Sequence, residues 1–98
     1  MKILIVEDDL AISDGILAFL SDLGHTCVQA MDGAQALAEF EKQSFDFVLL
    51  DIMLPKKSGL EVLKIMRQKS ELPVLILTAL SDDETKISAF NSLADGFI

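Results

Sequence analysis

The residues able to do chemistry in this sequence stand where apolar runs end. Glu7, Asp8 and Asp9 follow the run Ile3-Leu4-Ile5-Val6, Asp51 ends Phe47-Val48-Leu49-Leu50, and Thr78 ends Val74-Leu75-Ile76-Leu77. Consecutive acids repel one another. The plainest account of them is a solvated loop in which Asp8 or Asp9 caps the next helix. Asp51 changes that balance. A lone carboxylate at the end of so apolar a strand is partly desolvated, and without a partner it is costly or protonated. A hard divalent cation shared by Asp8, Asp9 and Asp51 would relieve both the repulsion and the burial. Carboxylate oxygens with retained waters suit Mg2+. A carboxylate beside such an ion can act as a ligand only, or it can attack a phosphoryl group as an aspartyl nucleophile. In the second case the ion shields the incoming negative charge. The Thr78 hydroxyl could donate to another phosphoryl oxygen, although taken alone Thr78 is an ordinary β-branched strand end.

For these acids to meet, the runs that carry them must be neighbouring strands. Short apolar or β-branched runs predict strands over 2–6, 25–30, 45–50 and 73–78, with a stub at 96–98. Helical spacing lies between them: Ile12, Ile16 and Leu20; Ala34, Leu37 and Ala38; Leu60, Leu63 and Met66; Ile87 and Phe90. Ser58 with Glu61 and Ser81 with Glu84 read as capping boxes, and Asp32 with Gln35 as a weaker one. Gly24 sits where a helix end needs a left-handed residue. Alternating strand and helix means a parallel sheet, and strands apolar on both faces need helices on both sides. The expected fold is a single α/β domain over 1–98. It is an open, doubly wound parallel sheet in the flavodoxin-like order 2-1-3-4-5, which places strands one and three side by side.

Composition narrows the function. The chain has 98 residues, 51% of them hydrophobic and 24% charged, which suits one globular domain and not a disordered segment. A net charge of −8 disfavours direct binding to nucleic acid or to an anionic membrane surface. No apolar run is long enough to span a bilayer. The single cysteine, Cys27, allows no internal disulfide, and the cytoplasm is the expected compartment. The glycines form neither a G-x-G-x-x-G nor a P-loop pattern. Cys27 and His25 stand apart from any partner set for a zinc site or a triad.

Taken together, the motifs resemble the receiver domain of two-component response regulators. Val6-Glu7-Asp8-Asp9 is similar to that family's acidic pair after strand one. Asp51-Ile52-Met53-Leu54-Pro55 with Gly59 resembles its phosphoacceptor loop, Thr78-Ala79 its hydroxyl residue and small neighbour, and Ala94-Asp95-Gly96-Phe97-Ile98 the start of its fifth strand. The resemblance covers the whole chain in order. It implies that Asp51 accepts a phosphoryl group from a phosphohistidine on a sensor histidine kinase. It further implies that Asp8, Asp9, Asp51 and the backbone carbonyl of Met53 hold Mg2+, that Thr78 binds the phosphoryl oxygen, and that Phe97 is an aromatic switch. The output would be a changed surface around the family's fourth and fifth helices and fifth strand.

The family also carries a lysine followed by proline just past strand five, and then a fifth helix. By spacing the lysine would fall just beyond Ile98. The expectation is therefore an incomplete domain from a longer regulator with a C-terminal effector, often DNA-binding in this family. Alone, such a chain is expected to be less stable than a complete domain or to self-associate through the uncovered sheet face or the output face. Leu93 also stands where the family usually has glycine. The rival readings are an Mg2+-dependent aspartyl phosphatase or phosphotransferase, and an interaction domain that works without phosphorylation. The first is disfavoured because Met53 occupies the position where such enzymes often carry a second acid. In the leading reading the domain is a switch limited to its own phosphoryl transfer and hydrolysis, not a turnover enzyme.

Overall fold

The computed structural model describes residues 1–51, 59–77 and 96–97. The elements are β1 (Lys2–Val6), α1 (Leu10–Asp22), β2 (Thr26–Ala30), α2 (Gly33–Lys42), β3 (Phe47–Asp51), α3 (Gly59–Lys69), β4 (Val74–Leu77) and β5 (Gly96–Phe97). All the strands pair in parallel, in the order β2-β1-β3-β4-β5. This is the expected flavodoxin-like order. The expected capping box at Ser58, and Ser81, Glu84, Ile87, Phe90 and Leu93, lie outside the described residues.

The layering follows from the handedness of the crossovers. Parallel strands are joined by right-handed crossovers. The chain moves one way across the sheet from β1 to β2, then reverses from β2 to β3 and on to β4. The helix therefore changes sides at the reversal. Alternate residues along the strands divide accordingly. Leu4, Val6, Val48, Leu50, Val74 and Ile76 pack with Ala36, Val62, Leu63 and Met66 on the α2–α3 side. Ile3, Ile5 and Leu49 pack with Ile16, Leu17 and Leu20 of α1 on the other. The reversal leaves a crevice at the carboxyl ends of β1 and β3, where open α/β sheets bind ligands.

Local chemistry sets the element ends. Asp9 caps α1, its side chain accepting from the Ala11 N–H at 3.0 Å and the Ile12 N–H at 3.2 Å. Asp32 caps α2 by accepting from the Gln35 N–H at 2.8 Å, and Gln35 answers by accepting from the Met31 N–H at 3.0 Å. This reciprocal pair resembles a capping box, displaced by one residue on the return bond. At the end of α1, Gly24 has φ +92. Its N–H reaches Ser21 O at 3.0 Å, and the His25 N–H reaches Leu20 O at 3.1 Å. These are the two bonds of a Schellman stop. Asp46 pins the start of β3 to β1, its N–H donating to Lys2 O at 2.8 Å while its Oδ2 accepts from the Lys2 N–H at 2.8 Å.

Two expected helix faces are met in part: Ile16 and Leu20 of α1 and Leu37 of α2 pack against the core, and the other expected residues do not. Ile12 is 50% exposed, and the buried residue of α1 is Ser13. Ala34 and Ala38 face solvent, while α2 presents Ala36, Leu37 and Phe40 to the core. Alanine sits on either face at little cost, so it misleads a periodicity argument.

The two glycines at α1 predict changes of opposite sign. A Cβ at either Gly15 or Gly24 meets nothing within 4 Å, so only backbone conformation decides. Gly15→Ala, inside the helix, is expected to raise stability by up to about 1 kcal/mol. Gly24→Ala, at positive φ, is expected to lower it by roughly 1 kcal/mol. Urea unfolding midpoints check both.

Candidate functional site

The register of the strands brings acids together. Val6 of β1 lies opposite Leu50 of β3, so Glu7 and Asp51, one residue further on, emerge side by side. Asp51 is also opposite Leu77 of β4. Glu7 and Asp51 are each only 5% exposed, whereas Asp8 is exposed. One carboxylate oxygen from each of Glu7, Asp8 and Asp51 lies within 4.8 Å of the others. The Glu7 N–H donates to Ala30 O at 3.1 Å, and Glu7 Oε1 accepts from the Asp9 N–H at 3.1 Å.

Convergence at this spacing has an electrostatic consequence. The Glu7 carboxyl is pushed up to about 7, chiefly by burial. The Asp9 amide opposes this, while the charge of Asp51 and hydrogen bonds with Asp51 and Asp8 add to it. Without a cation, a proton shared within the cluster limits the repulsion near neutral pH. The donor set is all oxygen, partly buried and open on the Asp8 side, which fits a hard divalent ion that keeps some of its water. Among the described residues, this is the group of acids close enough to hold a metal.

The placement of the expected site residues is mixed. Asp8 and Asp51 are brought together. Asp9 is not in the group. Its carboxylate faces the N–H groups of Ala11 and Ile12 as the cap of α1, and Glu7 stands beside Asp51 instead. Glu7 follows a run of buried strand residues and inherits their position at the sheet end. Asp9 directly precedes the helix, and that adjacency was the available signal. Met53 and Thr78 lie outside the described residues. Phe97 is in β5, its Cα opposite Ile76.

Comparison with known proteins identifies the family. The chain matches the response regulator receiver domain over residues 3–98. It belongs to the response regulator receiver family. Response regulator RR06 of Streptococcus pneumoniae is 40% identical over 98 residues, covering 100% of this chain and 45% of that protein. Regulatory protein VanRB of Enterococcus faecalis is 40% identical over 98 residues, covering 100% of this chain and 44% of that protein. The receiver spans less than half the length of these curated relatives. Among solved structures, the BeF3-activated N-terminal receiver domain of RstA from Klebsiella pneumoniae superposes with a TM-score of 0.91 at 33% identity, covering 100% of this chain and 84% of that one. Vibrio cholerae CheY4 superposes with a TM-score of 0.88 at 32% identity, covering 99% of this chain and 83% of that one. A receiver is a regulatory domain of a two-component system. Among the described residues, no helix is long and apolar enough to cross a membrane.

The raised Glu7 carboxyl makes receiver stability depend on pH. The folded state holds this proton more tightly than the unfolded chain, whose value is near 4.5. In EDTA, stability is therefore expected to fall as pH rises from about 4.5 through about 7. Glu7→Gln should flatten that slope. Urea unfolding at a series of pH values measures both.

Proposed function

We infer that this receiver is a phosphorylation switch in which Asp51 is the phosphoacceptor. The observation that carries the reading is the buried Asp51 carboxylate at the carboxyl end of β3, with Glu7 and Asp8 converging on it. An Asp51 oxygen attacks the phosphorus of a phosphohistidine on a sensor histidine kinase, and the P–N bond breaks to free the imidazole. Asp8 and Asp51 would hold Mg2+, with Glu7 taking the place first expected of Asp9. The ion, when bound, supplies charge neutralisation for the transferring group. Glu7 and Asp8 then act mainly by keeping that charge balanced around Asp51. Family resemblance adds the Met53 carbonyl as a further ligand, Thr78 as the phosphoryl contact and Phe97 as the aromatic switch. Self-phosphorylation from small donors and self-dephosphorylation belong to the same reading. So do a cytoplasmic setting and control of transcription in a longer regulator.

The test is incubation with Mg2+ and acetyl phosphate, followed by intact mass. The expected product is an acid-stable, base-labile phosphoryl adduct, absent in Asp51→Asn and without Mg2+. An adduct that persists in Asp51→Asn, or none in the wild type, would overturn the assignment.

Self-association of the chain alone is part of this reading. On α1 and at its C-cap, Leu10, Ile12, Phe19 and Leu23 are 60, 50, 56 and 61% exposed, an unusual apolar surface for a charged monomer. Sedimentation is expected to show mass rising with concentration. A monomer over the whole range would count against it.

A further inference from the structure

We propose that Gln29 is a positioning residue for the carboxylate site, clamping the first turn of α1 to the sheet through Ser13 and Asp14. This rests on reading the site as the metal and phosphoacceptor centre, and it concerns how Glu7 and Asp8 are held there.

Among the described residues, the first turn of α1 has no apolar anchor on the sheet. Leu10, Ala11 and Ile12 are exposed, and the apolar contacts of α1 with the sheet begin at Ile16. The residue that is fully buried is Ser13, at 0% exposure. A hydroxyl in a helix–sheet interface needs a partner. Gln29 of β2 supplies it, its Nε2 donating to Ser13 Oγ at 2.8 Å and to Asp14 Oδ1 at 2.9 Å. Both amide protons are then used, and the bond to the Asp14 carboxylate is charge-assisted. Because a carboxylate only accepts, Asp14 also fixes which way the amide points.

The placement of this clamp bears on the acids. Gln29 is opposite Ile5 in the β1–β2 ladder. The next residue, Ala30, accepts the Glu7 N–H through its carbonyl. The end of β2 thus holds the acidic segment from both sides, through its backbone at Glu7 and through the Gln29 side chain at Ser13. The Ser13 N–H in turn donates to Asp9 O at 2.9 Å. Removing the Gln29 amide would leave the 8–12 stretch held to the sheet through the Glu7 backbone and, further along α1, from Ile16, with Asp8 freer to drift from Asp51. Val28, one residue earlier on β2, packs on the opposite face against the α2–α3 core. It provides a control that weakens the same strand without touching the clamp.

Two readouts test this on the 98-residue chain: Mg2+ affinity by calorimetry and amide hydrogen exchange by segment. Gln29→Ala and Ser13→Ala are each expected to weaken Mg2+ binding about 3- to 10-fold, less than the roughly 10- to 100-fold typical of a group bonded directly to a ligand. Both should speed exchange across 7–13 about tenfold while the α2–α3 layer stays protected. Val28→Ala should lower global stability with Mg2+ affinity at the wild-type value. Should Gln29→Ala fail to fold, Asp14→Ala removes one bond at the exposed end, and about a twofold or larger change in the same direction is expected. Wild-type Mg2+ affinity in the folded clamp variants would overturn the proposal, as would an equal loss in Val28→Ala. A wild-type chain that binds no Mg2+, yet shows the local exchange change on Gln29→Ala, would overturn the metal reading and reduce Gln29 to a structural anchor.

Discussion

Three carboxylates held within 4.8 Å push apart the strand ends that carry them. What opposes them here is the pairing of β1 with β3. Backbone hydrogen bonds along Ile3–Val6 and Phe47–Leu50, and side chains buried on both faces, hold the two ends in place. The cluster is therefore a consequence of topology more than of local sequence. Glu7 and Asp51 are far apart along the chain and meet because β2 lies on the outer side of β1. The Glu7 carboxyl is raised chiefly because the fold buries it, and the nearby charge of Asp51 adds to the shift. A cation bound here would enter a site already under charge strain, which would favour binding over an empty, solvated arrangement.

Much of this was legible in the residues. The strand positions followed from continuous apolar runs, because a sheet covered on both faces leaves little room for polar side chains. The order of the strands followed from alternation with helices and from the need for Asp51 to meet the first acidic cluster. Gly24 was readable because few other residues tolerate its backbone angle. The failures share a cause. Which acid of Glu7-Asp8-Asp9 turns toward β3 depends on where the strand stops and the helix begins, a boundary that spacing does not resolve. Asp9 was assigned to the metal, although its position before Leu10 suits it to capping. On α1 the expected stripe held at Ile16 and Leu20 and failed at Ile12, where the buried residue is Ser13. A hydroxyl can occupy an interface when a partner such as Gln29 waits on the strand, and that partner is invisible until β2 is placed beside β1.

Family membership and local geometry carry different parts of the reading. The receiver match supplies the class of the domain and its setting in two-component signalling. It does not say which of three adjacent acids converges on Asp51 in this chain. That comes from the cap bonds of Asp9, the burial of Glu7 and the distances among Glu7, Asp8 and Asp51.

The two sides of the sheet are unequal, and this has a mechanical consequence. On one side α2 and α3 press Val62, Leu63 and Met66 into Leu4, Val6, Val48 and Leu50, all at 0% exposure. On the other, α1 covers Ile3, Ile5 and Leu49 with half-buried side chains. The molecule has a keel and a hatch. Loosening α1 would uncover the second set without breaking the β1–β3 ladder or the layer beneath it, so the strand ends that carry the acids can stay paired after α1 has loosened. Fluctuation in this receiver should therefore begin at the α1 side and alter access to the carboxylates before it alters their support.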